Sequence, residues 1–239
     1  SNGQDQIQVT ASSSTTSHMK TIATNHLKNR ILPFELETDV GYPGAPKTPC
    51  KVGGGTIRRL LQAYNRDPVF SSWAHSERVR SILSILLETD ALMLSRVHHN
   101  CIMTKQPLFS SKTGWHRDIR YWAFHNTELI SVWLALGKEN AENGGLKIIP
   151  GSHKMTFNKG FFDEKDFFRS QYGGSLLDRT VEVSLNQGDL LVFHSRTLHS
   201  AGWNRTSLAK WSLVFTYYHP LNFPVARTRS ASIDPIIIG

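Results

Sequence analysis

Cysteine is scarce in this 239-residue sequence: Cys50 and Cys101 are its only two. One disulfide is arithmetically allowed, but a disulfide framework is excluded. Both are read as free thiols of a reducing, cytoplasmic compartment. Long apolar runs are also missing. None approaches the ~18–20 residues of a membrane span, and the first twenty residues lack the apolar stretch of a signal peptide. Acidic residues are outnumbered, 19 against 27 Lys and Arg, for a formal charge of +8 and a pI near 9.6. Yet the basic residues form no run, and no zinc-finger, helix-turn-helix or RNA-binding signature accompanies them. Nucleic acid is therefore disfavoured as a partner. The field suits an anionic small molecule, or serves solubility alone. Internal repeats and a second domain boundary are absent too.

What is present suits a folded domain: 39% hydrophobic and 10% aromatic residues are ordinary for a globular chain. At this length roughly 70% or more of the unfolded surface is buried on folding. Residues 1–25, rich in Ser, Thr, Asn and Gln, read as a mobile arm, leaving 26–239 as one domain. Residues 38–56 have loop composition. Thr56 reads as an N-cap, and Ile57, Leu60, Leu61 and Tyr64 recur at helical spacing, predicting a helix over 57–66. A second helix is predicted over 74–88. From residue 91 the pattern changes to short β-rich runs: 91–97, 100–104, 130–137, 145–149, 180–185, 190–194, 197–202 and 211–218. A mainly β sandwich or barrel with flanking helices follows. Residues 151–178 form a Phe- and Gly-rich insertion, long enough to be a functional loop.

The stretch "GWHRDIRYW" at 114–122 sets a charged carboxylate among aromatics. In a strand, His116 and Asp118 project to one face, about 6–7 Å apart at Cα, and Arg117 points away. An imidazole and a carboxylate so placed are two ligands of a 2-His-1-carboxylate facial triad, which leaves half the coordination sphere of a non-haem Fe(II) open. The second histidine is expected from "GDLLVFHSRTLHSAGWN", where His199 and His194 both qualify.

Together "GWHRDIRYW", "SVWLALGKENAENGGLKIIPGSHK" and "NQGDLLVFHSRTLHSAGWNRT", in that order, resemble the phytanoyl-CoA dioxygenase family of Fe(II)/2-oxoglutarate oxygenases. The resemblance covers roughly residues 57–219, most strongly 114–154 and 186–206. It implies a double-stranded β-helix (jelly-roll, cupin-like) core, with Fe(II) held by His116, Asp118 and His199, and 2-oxoglutarate and O2 as co-substrates. It favours His199 over His194 and gives His153 a structural or pocket-rim role. The implied activity is hydroxylation of a small organic substrate, with succinate and CO2 released. Because Asp118 is present, hydroxylation or desaturation is implied rather than halogenation. Tyr121 and Trp122 are expected to shape the substrate mouth. The Phe-rich insertion, with Phe157, Phe161, Phe162, Phe167 and Phe168, is expected to act as a water-excluding lid or to cover a sheet edge.

Two positions depart from the family pattern. The family usually carries an Arg eleven residues after the distal histidine, to pair the C5 carboxylate of 2-oxoglutarate; here that residue is Lys210. A Lys can neutralise the charge but offers no bidentate fork. Where a Ser often follows the distal histidine by two, this chain has Ala201. Three readings remain open: Lys210 replaces the Arg, Arg205 or Arg196 reaches in from a loop, or the co-substrate differs. Trp133, Lys105 and Asn100 are further candidates for the co-substrate pocket. The alternative to an oxygenase is a jelly-roll that binds metal or ligand without 2-oxoglutarate, or one that is catalytically silent.

Overall fold

A computed structural model describes residues 10–37 and 55–239. Two antiparallel sheets face each other, and helices cover the outer side of the larger one. In the larger sheet, β1 (Phe34–Leu36), β2 (Ile57–Leu61), β4 (Cys101–Lys105), β11 (Lys210–Tyr218), β6 (Leu129–Ala135) and β9 (Leu190–His194) are neighbours in that order. β3 (Leu92–Leu94) and then β12 (Ile236–Ile238) extend it beside the far end of β11. The smaller sheet runs β5 (Thr113–His116), β10 (His199–Ala201), β7 (Leu146–Ile148), β8 (Val181–Glu182). This agrees with the mainly β, jelly-roll expectation.

Strand pleat explains the layering. On β11, Trp211, Leu213, Phe215 and Tyr217 pack toward the helices, while Val214 joins Cys101, Trp133, Ala135, Leu146, Ile148 and Phe193 between the sheets. Successive side chains point to opposite faces, so a strand clothed on both sides is buried throughout, as β11 and β6 are. The helical layer is α1 (Ser13–Lys28), α2 (Pro68–Ala74) and α3 (Glu77–Leu87). α3 starts where Ser76 accepts from Val79 N–H and buries Val79, Leu83 and Leu87, close to the predicted 74–88. Asp67 caps α2 with Pro68 in its first turn. Fully buried Phe70 and Leu83 each contribute roughly 1.5–3 kcal/mol.

Two expectations are corrected. The segment read as an arm is α1 from residue 13 onward: Ser12 caps it, Met19 and Ala23 are fully buried, and Gln187 donates to Thr16 and Ser17. Its polar surface residues mask a narrow apolar stripe. Residues 1–9 lie outside the described residues, as do most of the predicted 38–56 loop and Cys50. The helix predicted at 57–66 is the strand β2 followed by a 3-10 turn. A β-bulge is the reason. Glu35 and Leu36 on β1 face Arg59 and Ile57, so Arg58 is the extra residue. That insertion puts Ile57 and Leu60, three apart, on one face of a strand and mimics helical spacing.

The insertion 151–178 is built of short turns and α4 (Gly174–Leu177). It has a small core of its own, with Phe162 and Phe168 packed on Ile149 and Leu198.

Candidate metal centre and active site

His116 and His199 are direct cross-strand partners on β5 and β10, with ring centroids 4.2 Å apart. Each is oriented by the carbonyl two residues earlier. His116 Nδ1 bonds Gly114 O at 2.8 Å, and His199 Nδ1 bonds Thr197 O at 2.9 Å. With Nδ1–H donating, Nε2 of each ring is a bare acceptor when the ring is neutral. β5 ends at His116, and Asp118 opens a 3-10 turn after an extended Arg117, so the dyad straddles a strand end rather than lying within a strand. The Asp118 carboxylate reaches both rings, Oδ1 standing 3.7 Å from His116 Nε2 and 3.5 Å from His199 Nε2.

The donor atoms of these three residues lie within 4.8 Å of one another, and each residue is at most 9% exposed. Asp118 Oδ2 is buried without a hydrogen-bond partner. Three acceptors converging in a dry site, one of them orphaned, fit a divalent cation. Burial first, then the charge of His199, holds His116 well below its ordinary pKa and so neutral. Burial also lowers His199, but Asp118 outweighs it and the net direction is upward. Burial alone raises the Asp118 carboxyl; the imidazoles of His99, His199 and His116 outweigh that and hold it below the usual carboxylate range.

His99 escaped the sequence reading. Its Nε2 is 3.5 Å from Asp118 Oδ1, its Nδ1 meets Ser131 Oγ at 3.1 Å, and burial pushes it down to about 4. The available signal was the "HHN" at 98–100 just before an alternating strand. His194 faces elsewhere: its Nε2 is 3.2 Å from Glu128, and its ring lies 5.3 Å from that of His153.

From the triad a cavity runs between the sheets. Its far end is walled by Glu37, Arg58, Arg59, Lys105 and Lys210. Lys210 lines the cavity, and its charge is already matched. Nζ donates to Glu139 at 2.9 Å and to Ser212 Oγ at 2.8 Å. Glu139 also accepts from Ser212 Oγ at 2.7 Å and from Trp133 Nε1 at 3.1 and 3.2 Å. Trp133 lines the cavity, its ring centroid 5.0 Å from Lys210 Nζ. Lys105 stands beside Lys210 across β4 and β11 and donates to Ser111 O and Gly202 O at 2.6 Å each. Burial, then the Lys210 charge, pushes Lys105 down to about 7.

Other candidates are placed elsewhere. Asn100 is buried outside this wall, where Oδ1 accepts from Tyr64 N–H. Arg205 is exposed, and Arg196 donates to Met155 O; neither lines the cavity. Ala201 does. Arg58, Arg59, Glu37 and Glu139 were not foreseen; two charges interrupting "TIRRLL" were the only hint.

The insertion sits against the His116–Asp118–His199 cluster. Phe167 bridges to His116, Phe168 N–H donates to Trp115 O at 2.7 Å, and Arg120 lies 4.0 Å over the Phe167 ring. The fit at Gly114 is tight: a Cβ there would stand 3.2 Å from the Phe167 ring, which would have to shift by a few tenths of an ångström. Tyr121 is 55% exposed, and Trp122 packs edge-on to His99.

Comparison with known proteins gives one consistent result. The family model described as phytanoyl-CoA dioxygenase (PhyH) matches residues 55–210. An ectoine dioxygenase of Streptomyces coelicolor is 33% identical over 223 residues, 85% of this chain and 73% of that protein. A probable phytanoyl-CoA dioxygenase of Caenorhabditis elegans is 25% identical over 176 residues, 67% of this chain and 54% of that one. The chain spans between about half and two thirds of the first curated relatives it matches. The solved structure of EctD from S. alaskensis with 2-oxoglutarate and 5-hydroxyectoine has a TM-score of 0.75 at 17% identity, covering 98% of this chain and 80% of that one. The epimerase SnoN in complex with Fe3+, alpha ketoglutarate and nogalamycin RO gives 0.70 at 18%, covering 97% and 88%.

Proposed function

This chain belongs to the phytanoyl-CoA dioxygenase family, and from that premise we propose that it is a non-haem Fe(II)- and 2-oxoglutarate-dependent dioxygenase. It hydroxylates a small organic substrate, consuming O2 and releasing succinate and CO2. The observation that carries this reading is the convergence of His116, Asp118 and His199 on one buried point with an orphaned carboxylate oxygen. The metal with its 2-oxo acid supplies the oxidising power for the C–H bond. The chain supplies the rest. Gly114 O and Thr197 O fix the ring tautomers. The cluster of Phe157, Phe161, Phe162 and Phe168, seated on β5 through Phe168 and Trp115, keeps water from the mouth.

An anionic substrate is part of the proposal. Arg117 and Arg120 stand beside the triad on the aromatic insertion, and the net charge is +8. Nucleic acid is not proposed. Among the described residues no helix is long and apolar enough to cross a membrane, and the buried free thiol of Cys101 suits the cytoplasmic setting we propose.

A second reading, a metal-binding jelly-roll that does not use 2-oxoglutarate, draws on the Lys210–Glu139 pair, which already neutralises the family's usual anchor position. Incubation with Fe(II), O2 and labelled 2-oxoglutarate separates the two. The oxygenase yields labelled succinate, and His116→Ala abolishes it. Metal binding with no succinate and no affinity for 2-oxoglutarate overturns the oxygenase reading.

A further inference from the structure

The lysine at the far end of the cavity has a carboxylate at its back. Lys210 lines the cavity and Glu139 does not, yet both are almost wholly buried, at 4% and 1% exposed. An ammonium has three N–H groups to give. Nζ gives one to Glu139 at 2.9 Å and one to Ser212 Oγ at 2.8 Å. The third has no acceptor among the described residues, and Nζ lies 5.0 Å from the ring of Trp133, its neighbour in the cavity wall.

Glu139 is fixed in place. Its Oε1 accepts from Ser212 Oγ and Trp133 Nε1, and its Oε2 from Lys210 Nζ and Trp133 Nε1. Its backbone is tied to Leu185 by two hydrogen bonds, of 2.8 and 2.9 Å. A carboxylate so held acts in opposite senses on the two states of the cavity. Without a guest it compensates Lys210, whose charge would otherwise be buried alone at high cost. With a dicarboxylic 2-oxo acid present it is a second anion on the same ammonium, and like charges repel strongly where water is excluded. Lys105 makes up little of the difference, because its Nζ is already held by Ser111 O and Gly202 O.

We infer that Glu139 is a positioning residue that sets the affinity for the 2-oxo acid co-substrate: it tethers Lys210 so that one N–H is left for the distal carboxylate, and its own charge weakens the hold on that carboxylate. This rests on the oxygenase reading above. It makes the far end an attenuated anchor, so that occupancy follows the supply of the 2-oxo acid.

The test is calorimetric titration of Mn(II)-loaded protein, without turnover, with 2-oxoglutarate and with 2-oxobutyrate, which lacks the distal carboxylate. Wild type is expected to prefer 2-oxoglutarate. In E139Q a glutamine oxygen still accepts from Lys210 but the charge is gone. There 2-oxoglutarate should bind roughly fivefold or more tighter than in wild type, and 2-oxobutyrate within about twofold of wild type. Loosened packing alone would weaken both acids. In E139Q/K210M, which removes both charges together, the preference for 2-oxoglutarate is lost, an outcome that does not depend on the single variant folding. Unchanged or weaker 2-oxoglutarate binding in folded E139Q, an equal gain for 2-oxobutyrate, or a preference that survives in E139Q/K210M overturns the assignment and leaves the oxygenase reading standing. Wild type that binds Mn(II) but neither acid overturns the oxygenase reading and this assignment with it.

Discussion

The two ends of the cavity are built differently. At the metal end, two ligands are cross-strand partners and the third lies two residues from one of them. Their orientation depends on carbonyls two positions away in the chain. At the far end, the contacts join residues distant in the chain: Lys210 with Glu139, 71 residues apart, Lys105 with Gly202, 97 apart, Arg59 with Glu35, 24 apart. The metal end is specified by short sequence patterns, the far end by which strands meet. A local pattern must hold for the ion to be held at all, whereas distant pairs can be exchanged together.

Removing a ligand at the metal end is expected to have the largest effect. Asp118→Ala should abolish succinate formation and lower Mn(II) affinity by more than the ~10–100-fold typical of outer-sphere changes, read by calorimetry. If activity survives it, the metal end is not the seat of chemistry and the contrast between the two ends loses its meaning.

The far end should respond in stability first. Glu139→Ala leaves Lys210 buried and unpaired and should cost about 3–5 kcal/mol in denaturant unfolding. Adding Lys210→Met should recover most of that, because breaking one partner is worse than removing both. A double variant as unstable as the single one would show that the pair is not an exchangeable unit.

His99→Gln sharpens the comparison by touching the metal end from its second layer. With Nε2 3.5 Å from Asp118, its loss should weaken metal binding by roughly tenfold, with little change in the midpoint of unfolding.

The smallest effect is on pH. His199 is raised above its ordinary value by Asp118, although burial opposes this, and a proton there must leave before Nε2 can ligate. Metal affinity should therefore begin to fall above the ordinary histidine range and keep falling as pH drops through it, with protons released on binding. Mn(II) titrations in buffers of different ionisation enthalpy measure this. The neutral forms of His116 and His99 are already favoured and add little to the slope.

The same contrast explains what the sequence could disclose. His116, Asp118 and His199 were readable because ligand chemistry demands those residue types at a spacing the strands impose. The strands from residue 91 onward were readable by alternation and turn residues. β2 was not: its bulge shifts Ile57 and Leu60 onto one face, and periodicity alone cannot tell that from a helix turn. α1 was hidden by a polar surface around Met19 and Ala23. Lys210 lines the cavity, but no local pattern links it to Glu139, so its neutralisation could not be foreseen. Arg58 and Arg59 became cavity residues only through that same bulge.

The bridge between Phe167 and His116 has a cost for innovation. Any change that loosens the aromatic flap to admit a bulkier guest also pulls on the strand that carries His116, through Phe168 and Trp115. Diversification of guest preference is then steered away from residues 166–168 and toward loops that share no backbone bond with β5. Descendants with altered flaps at that point should be recognisable by poorer metal retention.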